Sequence, residues 1–224
     1  MSELRELLAL YSRERGGSLA ETEGGVRELS PMFNGVTPHR PGYLASGRLR
    51  RAYVHYYLPV NAEKVARVLA ELDLYAPAEA PPRVLDFGCG PGTASIALLL
   101  KRKVADLCLV DTVDEALDDA QWFARQLGVE ARRAHEPPPG EKFDLILAAN
   151  VYSETTAKLE GFLELERQPC LVHTAFSTLQ IEVRAWTERF EARCHTAPQL
   201  PAKTPIRRQP SWSRSRRAWG CSPL

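Results

Sequence analysis

Hydrophobic and polar positions change rhythm along the chain. Near the start, Leu4, Leu7, Leu8 and Tyr11 recur at helical spacing, which predicts a short amphipathic helix. The rest of residues 1–40 is mixed and reads as turn-rich, with Gly-Gly pairs at 16–17 and 24–25 and TPHRPG closing the stretch. Residues 44–76 read as helices, LASGRLRRAYVHYYLP and then VNAEKVARVLAELDLY. In the second, Val60, Val65, Val68, Leu69 and Leu72 follow the 3.6-residue period, together with Lys64, whose stem can lie along an apolar face. Pro59 suits a break or a first-turn position. APAEAPP, residues 76–82, is a linker.

Short apolar runs then alternate with helical patterns. RVLDF (83–87) is a buried strand, and GPGTASIALLLKRK (90–103) a turn and helix. DLCLVD (106–111) is a second strand, followed by a helix, VDEALDDAQWFARQLG, that ends at Gly128. VEARRAH (129–135) gives a third strand, PPPGEK a loop, and FDLILAAN (143–150) a strong fourth strand. This alternation predicts an α/β fold, a Rossmann-like, doubly wound and mostly parallel sheet with an N-terminal helical extension. Right-handed crossovers place the loops after the strands on one edge. Beyond residue 154, AKLEGFLELE reads as helix or helix into strand, PCLVHTAF as a strand and LQIEVRAWTERFEAR as a helix. The expected organisation is a helical region at 1–79, a Rossmann-like domain at 80–191 and an irregular basic tail at 192–224.

Charge changes this picture only at the end of the chain. The net charge is +1, yet residues 192–224 hold seven Lys or Arg and no acid, leaving 22 basic and 28 acidic residues before them. A basic tail on an acidic body suits a polyanionic partner such as RNA, or is a solvated disordered segment. No apolar run approaches the ~18 to 20 residues that span a bilayer, and the N-terminal stretch lacks the pattern of a secretion signal. The five cysteines form no disulfide framework, so the expectation is a reducing cytoplasm and no membrane.

The candidate chemistry begins at VLDFGCGPGTAS, residues 84–95. Glycine is needed where φ is positive or where a ligand must touch backbone. A strand, a glycine turn and a helix together make a nucleotide or cofactor site. Gly88, Gly90 and Gly92 give G-x-G-x-G, whereas a dinucleotide fingerprint would need glycine or alanine where Thr93 stands. Asp86, at the strand end, suits a ligand with a cationic amino group better than a pyrophosphate. Asp111 closes the second strand, where an acid can accept hydrogen bonds from both ribose hydroxyls or, alternatively, cap the following helix.

The segment VLDFGCGPGT resembles motif I of class I S-adenosylmethionine-dependent methyltransferases, D/E-x-G-x-G-x-G. The resemblance implies S-adenosyl-L-methionine as cofactor, held by Asp86, Gly88, Cys89, Gly90, Gly92, Asp111, Thr112, His135 and Asn150. Thr112 would border the adenine, and His135, with Glu136 beside it, falls in the loop where adenine recognition is expected. Asn150, Tyr152 and Glu154 emerge at the end of the fourth strand and are the candidate catalytic residues. Asn150 to Glu154 reads NVYSE, without the prolines of the motif that grips a target amine. NVYSE is similar instead to the small-ribosomal-subunit methyltransferase-like family, linked to ribosome assembly. RRAYVHYYLPVNAEKVARVLAEL, residues 50–72, resembles that family as well. It implies rRNA methylation, with RNA or the small ribosomal subunit as partner. The C-terminal part departs from the family's cysteine cluster. Only Cys170, His173, Cys194, His195 and Cys221 are present, with no close four-ligand set, so no metal centre is assigned.

Methyl transfer is an in-line displacement in which the protein supplies position and electrostatics. A base would help a poorly nucleophilic acceptor, and Tyr152, Glu154 and His55 are the candidates. Tyr53, Tyr56 and Tyr57 either stack on a base or form a core stripe, and the core reading is favoured. Three functions follow: an RNA methyltransferase, a non-catalytic assembly factor that keeps the fold, and a small-molecule methyltransferase with residues 1–75 as its lid.

Overall fold

The structure, a computed structural model, describes residues 2–75, 80–149 and 171–174. The central sheet has five parallel strands: β1 (Arg83–Phe87), β2 (Asp106–Val110), β3 (Arg132–Ala134), β4 (Leu145–Ala149) and β5 (Leu171–Thr174). Their order is β3-β2-β1-β4-β5. Strands covered on both faces read as unbroken apolar runs rather than alternating ones, and LCLV and LILA do so with every side chain buried. The order reverses between β1 and β4. The crevice outside the carboxyl ends of these two strands is where an open α/β sheet takes its ligand. Helices α5 (Thr93–Leu99) and α6 (Asp114–Gln126) follow β1 and β2. The predicted end of α6 holds, with Gly128 at φ +77°.

Residues 2–33 form two helices joined by a short turn, which corrects the turn-rich reading there, while residues 34–42 are turns and irregular backbone as TPHRPG suggests. Helix α1 (Ser2–Arg15) buries Leu4, Leu7 and Tyr11, as its spacing predicts. Gly16 and Gly17 make the turn, with φ of +75° and +116°. Helix α2 (Leu19–Phe33) then starts on a capping box between Ser18 and Glu21. The second glycine pair lies inside α2 and serves packing: a Cβ on Gly25 would sit 2.4 Å from the Cβ of Ala52. Two helices cross closely there because neither carries bulk.

A 3-10 turn (Tyr43–Ala45) leads into α3 (Gly47–Ala52). This helix runs through a π turn (Tyr53–Tyr57) into α4 (Leu58–Tyr75). The amide of Leu58 reaches back five residues to the Tyr53 carbonyl. That widened turn absorbs the bond that Pro59 cannot make. It also sets the buried stripe of α4 to Leu58, Ala62, Val65 and Leu69, and Val60, expected inside, is 50% exposed. Helices α1, α4, α5 and α6 share one hydrophobic cluster with Val84, Leu107, Leu109, Leu145 and Leu147 of the sheet. On the other face of the sheet Leu85, Cys108, Val110, Ile146 and Ala148 cluster with Phe143. Among the described residues no helix is long and apolar enough to cross a membrane.

Candidate functional site

The β1–α5 connection is a loop that only glycine makes without strain. Gly88, Gly90 and Gly92 have φ of +63°, +51° and +87°, all in the left-handed region. Gly92 is constrained a second time, since a Cβ there would lie 3.2 Å from both Cα and Cβ of Ala120 on α6. The amide of Cys89 continues the β1–β2 ladder to the Val110 carbonyl at 3.0 Å, and the amide of Gly92 closes a turn on the Cys89 carbonyl at 2.9 Å. Burial raises the Cys89 thiol well above its ordinary range, so it stays protonated and is no nucleophile.

Asp111 stands at the end of β2 and holds the loop directly. Its Oδ2 accepts from the Gly90 amide at 2.8 Å and its Oδ1 from the Val113 amide at 3.0 Å. Burial raises its pKa, and the backbone donors of Gly90, Val113 and Thr112 oppose the rise. A carboxylate offers about four acceptor positions, so a diol can still be accepted. The two sequence readings of this acid are thus compatible: it steadies the turn into α6 and keeps acceptor capacity. His135 is brought to the same place, its Nδ1 3.2 Å from the Asp111 carbonyl and its Nε2 3.4 Å from Asp114 Oδ1. Thr112, Glu136 and His135 are exposed around this edge.

Asp86 is the second acid expected at the site. It is buried inside β1 and accepts from the Ser95 amide at 3.0 Å and from the Ser95 hydroxyl. Burial pushes its pKa up to about 7, the Asp111 charge adds to this, and the Ser95 hydrogen bonds oppose it. The carboxyl therefore ties β1 to α5 beneath the glycine loop. Three features were not found by sequence reasoning. Ser95 is the partner of Asp86. Thr93 Oγ1 is buried with no hydrogen-bond partner among the described residues. Leu44 covers the loop from above, its Cδ1 3.4 Å from where a Cβ on Gly90 would be. The Ser95 bond had a faint signal in a hydroxyl two residues into the helix, whereas Leu44 had none.

Asn150, Tyr152 and Glu154 lie outside the described residues, as do Cys170, Cys194, His195, Cys221 and the basic tail. His55 is half-buried, with its ring against Tyr11 and its Nε2 3.5 Å from Ser12 Oγ. Burial lowers its pKa. Tyr53 and Tyr57 pack with Phe33 in the N-terminal layer, in keeping with the core reading, whereas Tyr56 is 53% exposed. Among the described residues no group of His, Cys, Asp and Glu could hold a metal ion.

Residues 53–161 match the model of a family described as a methyltransferase domain. The trans-aconitate 2-methyltransferase of Rhodopseudomonas palustris is 36% identical over 96 residues, covering 42% of this chain and 36% of that protein. The chain thus spans about a third of the length of that curated relative. Solved structures that align with it include an S-adenosylmethionine-dependent methyltransferase from Clostridium acetobutylicum, with 23% identity, 46% of this chain and 42% of that one covered, and a TM-score of 0.38. Another is the YcgJ protein of Bacillus subtilis, with 28% identity, 38% of each chain covered and a TM-score of 0.31. With a parallel sheet in the order β3-β2-β1-β4-β5 and a D-x-G-x-G-x-G loop after its central strand, the chain has a Rossmann-like fold, and its residues 53–161 are similar to a methyltransferase domain.

Proposed function

We propose that the chain transfers a methyl group from S-adenosylmethionine, and that its acceptor is RNA of the small ribosomal subunit. The observation that carries the first part is the bond from the Gly90 amide to Asp111. It fixes an acid with spare acceptor capacity beside a left-handed glycine loop, a fit for a nucleoside with a free diol. The Thr93 hydroxyl at the start of α5, buried with no partner among the described residues, is a further polar group beside the loop. Asp111 would hold the ribose, His135 and Thr112 would border the base, and Gly88 to Gly92 would let backbone approach. When bound, the cofactor supplies a methyl group made electrophilic by the sulfonium. The protein's own part is to orient that group and exclude water. Asn150, Tyr152 and Glu154 follow β4 in sequence, and the position of β4 beside β1 supports the reading that they meet the acceptor.

The RNA acceptor rests on the resemblance of residues 50–72 and 150–154 to the small-subunit family and on the seven cations after residue 191. A second reading, a small-molecule acceptor, is favoured by the match to the trans-aconitate enzyme. Transfer of labelled methyl groups from S-adenosylmethionine to small-subunit RNA, run beside trans-aconitate, separates the two. Transfer to neither, by a protein that binds the cofactor, leaves an assembly factor that keeps the fold.

Asp111→Ala is expected to raise the Kd for S-adenosylhomocysteine about 100-fold. Hydrogen bonds to a charged group contribute about 1.5–3 kcal/mol each, and the substitution also frees the Gly90 amide. Titration calorimetry reads this, and unchanged affinity in a folded variant would remove the ribose role of Asp111.

A further inference from the structure

We infer that Arg50 is a positioning residue that holds the Tyr43–Ala45 turn down on the glycine loop, and so sets how long the cofactor is retained. This rests on the methyltransferase reading of the same loop. The argument starts from Asp119, an acid on α6 whose side chain is only 2% exposed. A carboxylate so buried needs partners, and it draws them from two N-terminal helices. Tyr11 of α1 donates to Oδ2 at 2.7 Å, and Arg50 Nε of α3 donates to the same oxygen at 2.8 Å. Arg15 Nη1 stands 3.8 Å from Oδ1.

Arg50 then does a second thing. Its Nη1 donates to the Leu44 carbonyl at 2.8 Å and reaches the Ala45 carbonyl at 3.4 Å. Those carbonyls belong to the turn whose Leu44 side chain lies over Gly90. One guanidinium thus joins the buried acid to the cover of the loop. Only a planar fork with donors on both sides does this, and a lysine, with one nitrogen, cannot stand at both points. Ala120, the next residue on α6, is the one that abuts Gly92. A single turn of α6 therefore supports the loop from one side and, through Arg50, its cover from the other. Tyr43 and Leu44 also pack with Ala116 of α6, so the turn rests on an apolar seat and Arg50 fixes its position there.

The test uses the full chain with S-adenosylhomocysteine, comparing wild type, Arg50→Lys, Leu44→Ala and the double variant, with Arg67→Ala as the control. Arg67 is exposed and, among the described residues, pairs with Glu63 of its own helix. Release of the nucleoside by stopped flow is expected to be about tenfold faster in Arg50→Lys and in Leu44→Ala. The double variant should be no faster than the worse single one, because both act through one turn. Amide exchange at Ala45 and Ser46, which bond to the Gly42 and Tyr43 carbonyls, should accelerate in Arg50→Lys. Leu44→Ala leaves the Asp119 bonds intact and keeps the test open where Arg50→Lys fails to fold. A lower Tm in Arg50→Lys with unchanged release overturns the inference and leaves a structural arginine. Fully additive effects overturn it as well. A wild-type chain that binds no nucleoside overturns the functional reading and this inference together.

Discussion

Replacing Asp119 with alanine is expected to lower stability by about 3–5 kcal/mol, the range for breaking a buried ion pair from one side. The loss is large because of what stays behind. Arg50 keeps its charge at 15% side-chain exposure, with only the carbonyls of Leu44 and Ala45 among the described residues to meet it. The Tyr11 hydroxyl, inside a cluster with Trp122 and Phe123, loses its acceptor. Burial and the neighbouring carboxylate raise the Tyr11 pKa, so the phenol stays neutral and donates throughout the useful pH range. Urea unfolding measures the change, as a lower midpoint at unchanged slope. Asp119→Asn, with its carbonyl oxygen in the place of Oδ2, keeps an acceptor for both donors but loses the charge, and should fall between alanine and wild type. A loss below about 1 kcal/mol for alanine would mean that water replaces the carboxylate, and the buried network would not be what joins α1 and α3 to α6.

The second large effect is a pH dependence that belongs to Asp86. Its folded pKa is about 7 against an ordinary 3.8, with burial as the main cause. The folded protein therefore holds a proton that the unfolded chain has released. Stability falls as pH rises from about 4 to about 7 and levels off above. The shift of roughly three units corresponds to about 4 kcal/mol across that window, an order-of-magnitude figure. Asp111, also raised by burial, adds a slope of the same sign. Glu28 and Asp106, lowered by their arginine partners, act oppositely at lower pH, and His55, lowered by burial, costs stability as pH falls. These contributions cancel in the difference between wild type and Asp86→Asn, which isolates the one group. Denaturant midpoints at pH 4.5 to 8 should show the variant gaining on wild type as pH rises. A flat difference would show that Asp86 is ionised in the fold, held so by its two bonds from Ser95.

The glycine loop and Asp111 were legible because their requirement is local. Positive φ at alternate positions admits little but glycine, and an acid at a strand end serves whatever the loop holds. The same letters mislead where the requirement is tertiary. Gly24 and Gly25 carry the turn signal of Gly16 and Gly17, and only the approach of Ala52 from α3 reveals a helix crossing. The period of VNAEKVARVLAELDLY, read as a helix that starts after Pro59, puts Val60 inside, but the helix runs on through the π turn over residues 53–57 and buries Leu58, Ala62, Val65 and Leu69 instead. Asp119 carried a sign that was missed. Among the acids of DEALDDA it alone shares the face of Ala116 and Phe123, where a solvated charge has no place. Arg50 and Leu44 gave none, because their meaning lies in contacts with residues far along the chain.

The bond from Tyr11 to Asp119 spans 108 positions, and this sets a timetable for synthesis. At about 5–20 residues per second, α1 waits roughly 5–20 s on the nascent chain before α6 is translated. During that wait Leu4, Leu7 and Tyr11, all buried in the finished protein, face solvent and whatever binds apolar helices near the ribosome. The first helix can dock only after α6 has emerged. The neighbouring strands β1 and β2, by contrast, are made within seconds of each other.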